Sequence, residues 1–122
     1  MRLSHRFDIS RIMETIRALS CLSALSHASR LEVFRLLVQT GPGGLAAGEI
    51  ARRLDLPPST LSTHLALLEG AGLLAAAREG RVIRYSADLE GIRALVGWLL
   101  QDCCGGAPET CAPILEKIGC AC

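Results

Sequence analysis

The chain has 122 residues, half of them hydrophobic and a fifth charged, with a formal net charge of only +1; this length suits one packed domain, and this composition excludes a disordered chain. The small net charge excludes a protein that binds nucleic acid through its overall charge, so any DNA-binding surface must come from local segregation of charge. No apolar run approaches the roughly 18 residues of a membrane span, and no secretory signal is evident, so we expect a cytoplasmic protein that does not associate with membranes.

Residues 1–44 predict two amphipathic helices. Ser10 can cap the first helix, whose apolar side chains recur every three to four residues: Ile12, Ile16, Leu19, Leu22 and Leu25. The pattern breaks near Ser26 and His27, and we interpret His27 as a helix-entry residue rather than a metal ligand. A second helix then ends at the Gly-Pro-Gly-Gly stretch of residues 41–44. Its apolar face comprises Leu31, Phe34, Leu37 and Val38.

A helix-turn-helix is predicted next. The third helix ends at Asp55, and Pro58 suits the first position of a fourth helix over residues 58–71. The apolar residues of the third helix are Ile50, Ala51 and Leu54. The stripe of the fourth helix that we expect to be buried is Leu61, Leu65 and Leu68. The small polar residues expected on its exposed first two turns are Ser59, Thr60, Ser62, Thr63 and His64.

The second half of the chain predicts a β-hairpin and one more helix. Two short runs flank Glu79 and Gly80, and Gly80 would supply the positive φ of a two-residue turn. A last helix begins near Asp88 and continues to the glycine pair at residues 105–106. We therefore expect one folded domain over residues 1–106 and a Cys-rich tail over residues 107–122.

The helix-turn-helix and the hairpin together indicate a DNA-binding surface. A second short helix with polar side chains at its N-terminal end is the arrangement that enters the major groove. The predicted contacts to bases and phosphates are Ser59, Thr60, Ser62, Thr63 and His64; helix capping and a solvated face are the plainer alternative. The predicted contacts from the hairpin to phosphates or the minor groove are Arg78, Arg81 and Arg84, and a solvated arginine face is the alternative.

Arg52 and Arg53 on the preceding helix are secondary candidates for contacts to DNA phosphates. Glu49 precedes them by three and four residues, a spacing at which side chains on a helix meet. One of the two arginines could therefore pair with Glu49 instead.

Five of the six cysteines lie in the last 20 residues: Cys103, Cys104, Cys111, Cys120 and Cys122. In a reducing compartment this clustering indicates a metal or redox site. Three converging sulfurs suit a pyramidal As(III) or Sb(III) centre, whereas structural zinc prefers four ligands in spaced pairs that this sequence lacks. Cys120 and Cys122 could add ligands or remain idle at the terminus. Cys21, in the first helix, is interpreted as a small buried hydrophobe.

Over residues 21–106 the sequence resembles the ArsR/SmtB family, through ALSHASRLEVFRLL, GEIARRLDLPPSTLSTHLALLEGAGLL and REGRVIRYS. It is similar to the arsenite-responsive group, in which a vicinal cysteine pair ends the last helix and a third cysteine follows, here Cys103, Cys104 and Cys111. The cysteine motif that other members carry at the start of the helix-turn-helix is absent from GEIARRLDL.

The resemblance implies a mainly α winged helix-turn-helix with a small β-hairpin. It also implies that residues 1–106 are a DNA-binding and dimerisation domain. The expected assembly is a homodimer built from the first and last helices on double-stranded operator DNA, with As(III) or Sb(III) as inducer and no organic cofactor. Methylated trivalent arsenic, which needs fewer sulfurs, stays open. The alternatives are a thiol-redox-responsive repressor and a thiol-rich metal carrier that never contacts DNA. No catalytic set occurs at motif-like spacing, so we do not expect an enzyme.

Overall fold

The computed structural model describes residues 9–101 and residue 113. In chain order its elements are α1 (Ile9–Leu25), α2 (Ala28–Thr40), β1 (Leu45–Ala46), α3 (Ala47–Leu54), α4 (Pro58–Gly70), β2 (Leu74–Glu79), β3 (Val82–Ala87) and α5 (Leu89–Leu99). The strands form one antiparallel sheet in the order β1-β3-β2. This confirms the predicted class, a mainly helical winged helix-turn-helix. No helix in the described part of the chain is long and apolar enough to cross a membrane.

Local turn chemistry sets several element boundaries as predicted. His27 is the N-cap of α2, and its Nδ1 accepts a hydrogen bond from the Ser29 backbone N–H at 3.1 Å. Pro58 is the first residue of α4, where its missing N–H leaves no helical bond unmade. In the hairpin, Glu79 pairs with Val82 and Gly80 has a φ of 67°, so the two-residue turn with positive φ at Gly80 is confirmed.

Other boundaries differ from the prediction. α1 already includes Ile9, so Ser10 lies within the helix and does not precede it as a cap. α5 ends at Leu99, before the expected stop at Gly105, and Leu100 is its C-cap. Strand β1 was not predicted, because a two-residue strand shows no period and exists only through its pairing with β3.

The core forms where α2, α3, α4 and the sheet meet. Its most completely buried large side chains are Val33, Leu37, Ile50, Leu61, Leu68 and Leu73. The predicted stripe of α4, Leu61, Leu65 and Leu68, is buried, and each such side chain stabilises the fold by about 2 kcal/mol. On α2, Phe34 and Leu37 are buried as expected, whereas Leu31 and Val38 stay exposed and Val33 takes their place.

α1 packs on the core with its small residues rather than its large ones. It buries Ala18, Cys21 and Ala24, while the predicted apolar stripe from Ile12 to Leu22 is 40–59% exposed within the single chain. Helical periodicity identifies residues that share a face but not the surface that covers them. The larger face of α1 is therefore free to meet another surface.

α5 is joined to the end of α4 by close backbone contact. The Asp88 N–H donates to the Leu73 carbonyl at 2.8 Å. Gly91 lies so close to the turn after α4 that a Cβ atom there would collide with the Gly72 carbonyl. Only glycine at position 91 permits this packing, because it has no Cβ.

We expect Gly91→Ala to lower the free energy of unfolding by about 2 kcal/mol, since backbone on both sides must move to admit one methyl group. The matched control is Gly48→Ala in α3, where an added Cβ meets nothing within 4 Å. That change should stabilise the protein by about 0.5 kcal/mol through helix propensity. Urea unfolding followed by circular dichroism measures both, and equal stability of the two variants would contradict the close contact.

Candidate nucleic-acid interface

The turn between α3 and α4 is built from three consecutive constraints. Asp55 ends α3 in the left-handed conformation with a φ of 53°, which Asp tolerates better than most residues. The Leu56 N–H then closes on the Ala51 carbonyl at 3.0 Å. Pro57 is extended, and its carbonyl accepts the first helical bond of α4, from the Leu61 N–H at 2.9 Å. These constraints set the direction in which α4 leaves the end of α3.

Four of the five polar residues predicted on α4 lie at the surface of its first two turns. These are Ser59, Thr60, Ser62 and Thr63, all exposed. The Thr63 hydroxyl donates back to the Ser59 carbonyl at 3.4 Å. Within residues 9–101 and 113, the other three hydroxyl groups make no hydrogen bond to the chain, so they are available to phosphates or base edges.

The fifth predicted residue, His64, is buried, and the expectation that it is exposed is wrong. Only 6% of its surface is accessible, because position 64 falls on the same side of the helix as Leu61 and Leu68. Its ring lies 4.8 Å from the ring of His27, centroid to centroid. We therefore remove His64 from the residues proposed to contact DNA.

The three arginines of the wing, which we define as β2, β3 and their turn, have different surroundings. Arg84 is anchored, since its guanidinium donates to the Gly44 carbonyl at 3.2 Å and pairs with Glu79 at 3.3 Å. Arg78 bonds weakly to the Gly80 carbonyl at 3.5 Å, and Arg81 occupies the turn. Arg78 is paired with Ile83, so Arg78 and Arg84 point to opposite faces of the wing.

Arg52 and Arg53 on α3, the secondary candidates for contacts to DNA phosphates, both pair with the carboxylate of Glu49. Arg53 pairs with Glu49 at 2.7 Å, and Arg52 pairs with the other oxygen of the same group. The sequence suggested one such pair, and the structure contains two. Exposed pairs of this kind are weak, but they reduce the positive potential that α3 offers to a phosphate.

The cysteines predicted to bind the inducer, Cys103, Cys104, Cys111, Cys120 and Cys122, lie outside the described residues. Within residues 9–101 and 113, no three His, Cys, Asp or Glu side chains are grouped so as to hold a metal ion. Cys21 is buried, and its Sγ donates to the Ala71 carbonyl at 3.2 Å. Burial raises the pKa of this thiol, so Cys21 is a weak nucleophile and a poor ligand.

Known proteins match this chain over the same elements. Residues 25–75 match the helix-turn-helix domain family HTH_20. The regulator YgaV of Escherichia coli K12 is 35% identical over 83 residues, which cover 68% of this chain and 82% of YgaV. The chain belongs to the ArsR/SmtB family of transcriptional regulators. Its relatives in that family are regulators of transcription rather than enzymes.

Solved structures of ArsR/SmtB-type proteins share the fold. An ArsR-like regulator from Rhodococcus sp. RHA1 superimposes with a TM-score of 0.64 at 25% identity, covering 84% of this chain and 93% of the other. A structure described as a possible transcriptional regulator for arsenical resistance gives a TM-score of 0.58 at 25% identity, covering 66% of this chain and 80% of the other.

The different surroundings of the wing arginines lead to a testable difference between Arg81 and Arg84. Arg81→Ala should weaken DNA binding about tenfold and lower the salt dependence by about one charge per chain, without changing stability. Arg84→Ala should lower the free energy of unfolding by about 1 kcal/mol, since it leaves the Gly44 carbonyl without its donor. Fluorescence anisotropy at several salt concentrations and urea unfolding separate the two effects. An Arg84→Ala protein with the same free energy of unfolding as the wild type would contradict the anchoring role.

Proposed function

We propose that this protein is a homodimeric repressor that binds double-stranded operator DNA and dissociates when its C-terminal cysteines capture As(III) or Sb(III). One observation carries the proposal: the hydroxyl groups on the first two turns of α4 and the turn at the tip of the wing are all exposed at the surface. The side-chain hydroxyl groups of Ser59, Thr60 and Ser62 make no hydrogen bond within residues 9–101 and 113, and Arg81 lies in the exposed turn of the wing. A helix and a wing presented in this way suit a major groove and its flanking phosphates.

The apolar faces left uncovered on α1 and α5 favour a dimer. α1 and α5 pack side by side. Their exposed large side chains are Ile12, Met13, Ile16, Leu19, Leu22, Leu89 and Leu99. Exposed apolar side chains clustered on adjoining helices are typical of a protein–protein interface, and a two-fold axis would bury the same surface on both chains. Two copies of α4 would then face successive major grooves.

The inducer is assigned from the sequence of the tail. Cys103 and Cys104 follow the last residue of α5, Leu99, by only a few positions. Adjacent thiolates with Cys111 nearby match the softness and the low coordination number of trivalent arsenic and antimony. The structural relative described as a possible regulator for arsenical resistance supports the same assignment. Cys120 and Cys122 are proposed as additional ligands.

The backbone contact between α5 and the end of α4 offers a route for release. A displacement at the C-terminal end of α5 is carried along the helix to Gly91, which lies against Gly72 directly after α4. The two recognition helices of a dimer would change their spacing as a result. A hundredfold loss of DNA affinity needs only about 2.7 kcal/mol of coupling, and DNA must weaken inducer binding by the same factor.

The proposed inducer site is tested by arsenite titration against DNA-bound protein. Reduced protein should bind a duplex from its own upstream promoter and lose about a hundredfold in affinity when arsenite is added, as measured by fluorescence anisotropy. The Cys103→Ser, Cys104→Ser variant should bind the same DNA and retain it. Retention of DNA by the wild type at saturating arsenite would contradict the inducer assignment.

Cys21→Ala is the matched control for that titration, because the structure places this thiol in the core, bonded to Ala71. This variant should respond to arsenite as the wild type does. Release by a mild oxidant and reversal by dithiothreitol, with no response to arsenite, would favour the thiol-redox mechanism instead.

The dimer surface has its own test. Ile16→Glu combined with Leu19→Glu places two charges on the exposed face of α1, where they should raise the dimer dissociation constant at least about a hundredfold. Val38→Glu alters an equally apolar, exposed position on α2 and should leave the dimer intact. Analytical ultracentrifugation over a range of concentrations measures both. A dimer that survives the double substitution would exclude α1 from the interface.

A further inference from the structure

Two histidines that lie far apart in the sequence meet between α2 and the recognition helix α4. His27 is the N-cap of α2, and His64 lies on the buried side of α4. Their rings are 4.8 Å apart, centroid to centroid, and tilted by 52°. This contact links the beginning of one core helix to the helix that presents Ser59, Thr60 and Ser62.

The ring of His27 is held in place by the cap that it supplies to α2. Its Nδ1 accepts the Ser29 N–H at 3.1 Å, which uses the lone pair of that nitrogen. The N-terminus of α2, where His27 lies, also carries partial positive charge. His64 therefore faces a fixed ring at the positive end of a helix.

The surroundings of His64 favour its neutral form. Its Nδ1 is buried and has no hydrogen-bond partner in the described part of the chain. Burial, then His27, then Arg30 lower the pKa of His64 from its ordinary value of 6.5. Arg30 is held in place, because its Nε donates to the Ala24 carbonyl at 2.7 Å. A proton on His64 would lie beside a fixed cation and a second imidazole.

No acidic group in the described residues compensates that charge. α4 packs against α1, α2, α3 and β2, and of their titratable groups only His27 and Arg30, both at the start of α2, change the pKa of His64. On α3 the carboxylate of Glu49 is engaged with Arg52 and Arg53, and on β2 that of Glu79 is engaged with Arg84. The thiol of Cys21 on α1 is bonded to Ala71.

We propose that the His27–His64 contact is a pH-sensitive junction that holds the recognition helix in place while the imidazole of His64 is neutral and loosens when His64 takes up a proton. The proposal rests on the proposed function in that α4 is taken as the helix that reads DNA. Mild acidification then weakens DNA binding by disturbing α4, independently of the C-terminal cysteines.

The direction follows from proton linkage. A loosened or unfolded state lets His64 recover its ordinary pKa of 6.5, so that state binds more protons than the intact junction does. The stabilisation is fully present above that pH and is lost as the pH falls through and below it. General acidification adds positive charge to the protein and strengthens its attraction to phosphates. A loss of affinity is thus opposite to the nonspecific effect.

Two substitutions at His27 separate the junction from a simple loss of the cap, because Asn and Asp both cap helices well. His27→Asn keeps an acceptor and removes the imidazole that lies beside His64. His27→Asp keeps the acceptor and places a carboxylate beside His64, where it should favour the protonated form. The Asp variant should therefore abolish the loss of affinity on acidification, and the Asn variant should lie between it and the wild type.

The first measurement is an NMR titration of the His64 imidazole in protein without DNA. The midpoint should lie below 6.5 in the wild type and should rise in His27→Asp. The second is the affinity for promoter duplex, which should fall about fivefold for the wild type between about pH 8 and about pH 6, the size of a lost helix cap. His27→Asp should show no such fall.

Each result decides a separate part of the proposal. A wild-type midpoint at or above 6.5, or the same midpoint in His27→Asp, would overturn the junction. A shifted midpoint with an equal pH dependence of affinity in all three proteins would overturn its control of DNA binding. Absence of DNA binding at every pH would refute the proposed function instead. Urea unfolding then decides the junction: the wild type must lose more stability on acidification than His27→Asp does, and equal losses would overturn it.

Discussion

Burial of Leu61, Leu65 and Leu68 sets the rotation of α4 about its own axis, and the rest of the interface depends on that rotation. With this stripe in the core, the 3.6-residue period turns the hydroxyl groups of the first two turns toward solvent. The same rotation carries His64 inward, beside His27. One packing event thus creates both the polar surface that we assign to DNA and the buried imidazole beneath it.

The parts of the interface are positioned by contacts to backbone atoms more than by pairs of side chains. Gly91 rests against Gly72, so α5 and the end of α4 cannot move independently without opening a gap. The wing is fixed at its other side, where Arg84 donates to Gly44 next to β1. Such contacts tolerate little adjustment because packed backbone is not compressible. A change at α5 is therefore well placed to alter the presentation of both α4 and the wing.

Electrostatics in this small protein depend on which charges are left unpaired. The net charge is only +1, and Glu49 and Glu79 engage three arginines between them. The positive charge that remains available at the wing is concentrated at its tip, at Arg78 and Arg81. The same shortage of acidic groups around His64 makes a buried proton costly there. Local pairing of charges, rather than composition, determines the electrostatics of the wing tip and of the surroundings of His64.

By itself the sequence determined the helices, the hairpin turn and the polar face of α4. Apolar periodicity, Pro58 and Gly80 act locally, through neighbouring residues and allowed backbone angles, and can be read without knowledge of the fold. The clustering of cysteines near the C-terminus is likewise a property of the sequence alone.

Only the tertiary structure decided which faces are covered and which residues meet across the chain. It turned the large side chains of α1 outward, paired both Arg52 and Arg53 with Glu49, added β1 to the sheet and brought His64 against His27. Period and turn chemistry specify which residues share a face, but what that face contacts depends on segments dozens of residues away. Those contacts are stabilised by packing between distant segments, so local sequence patterns do not predict them.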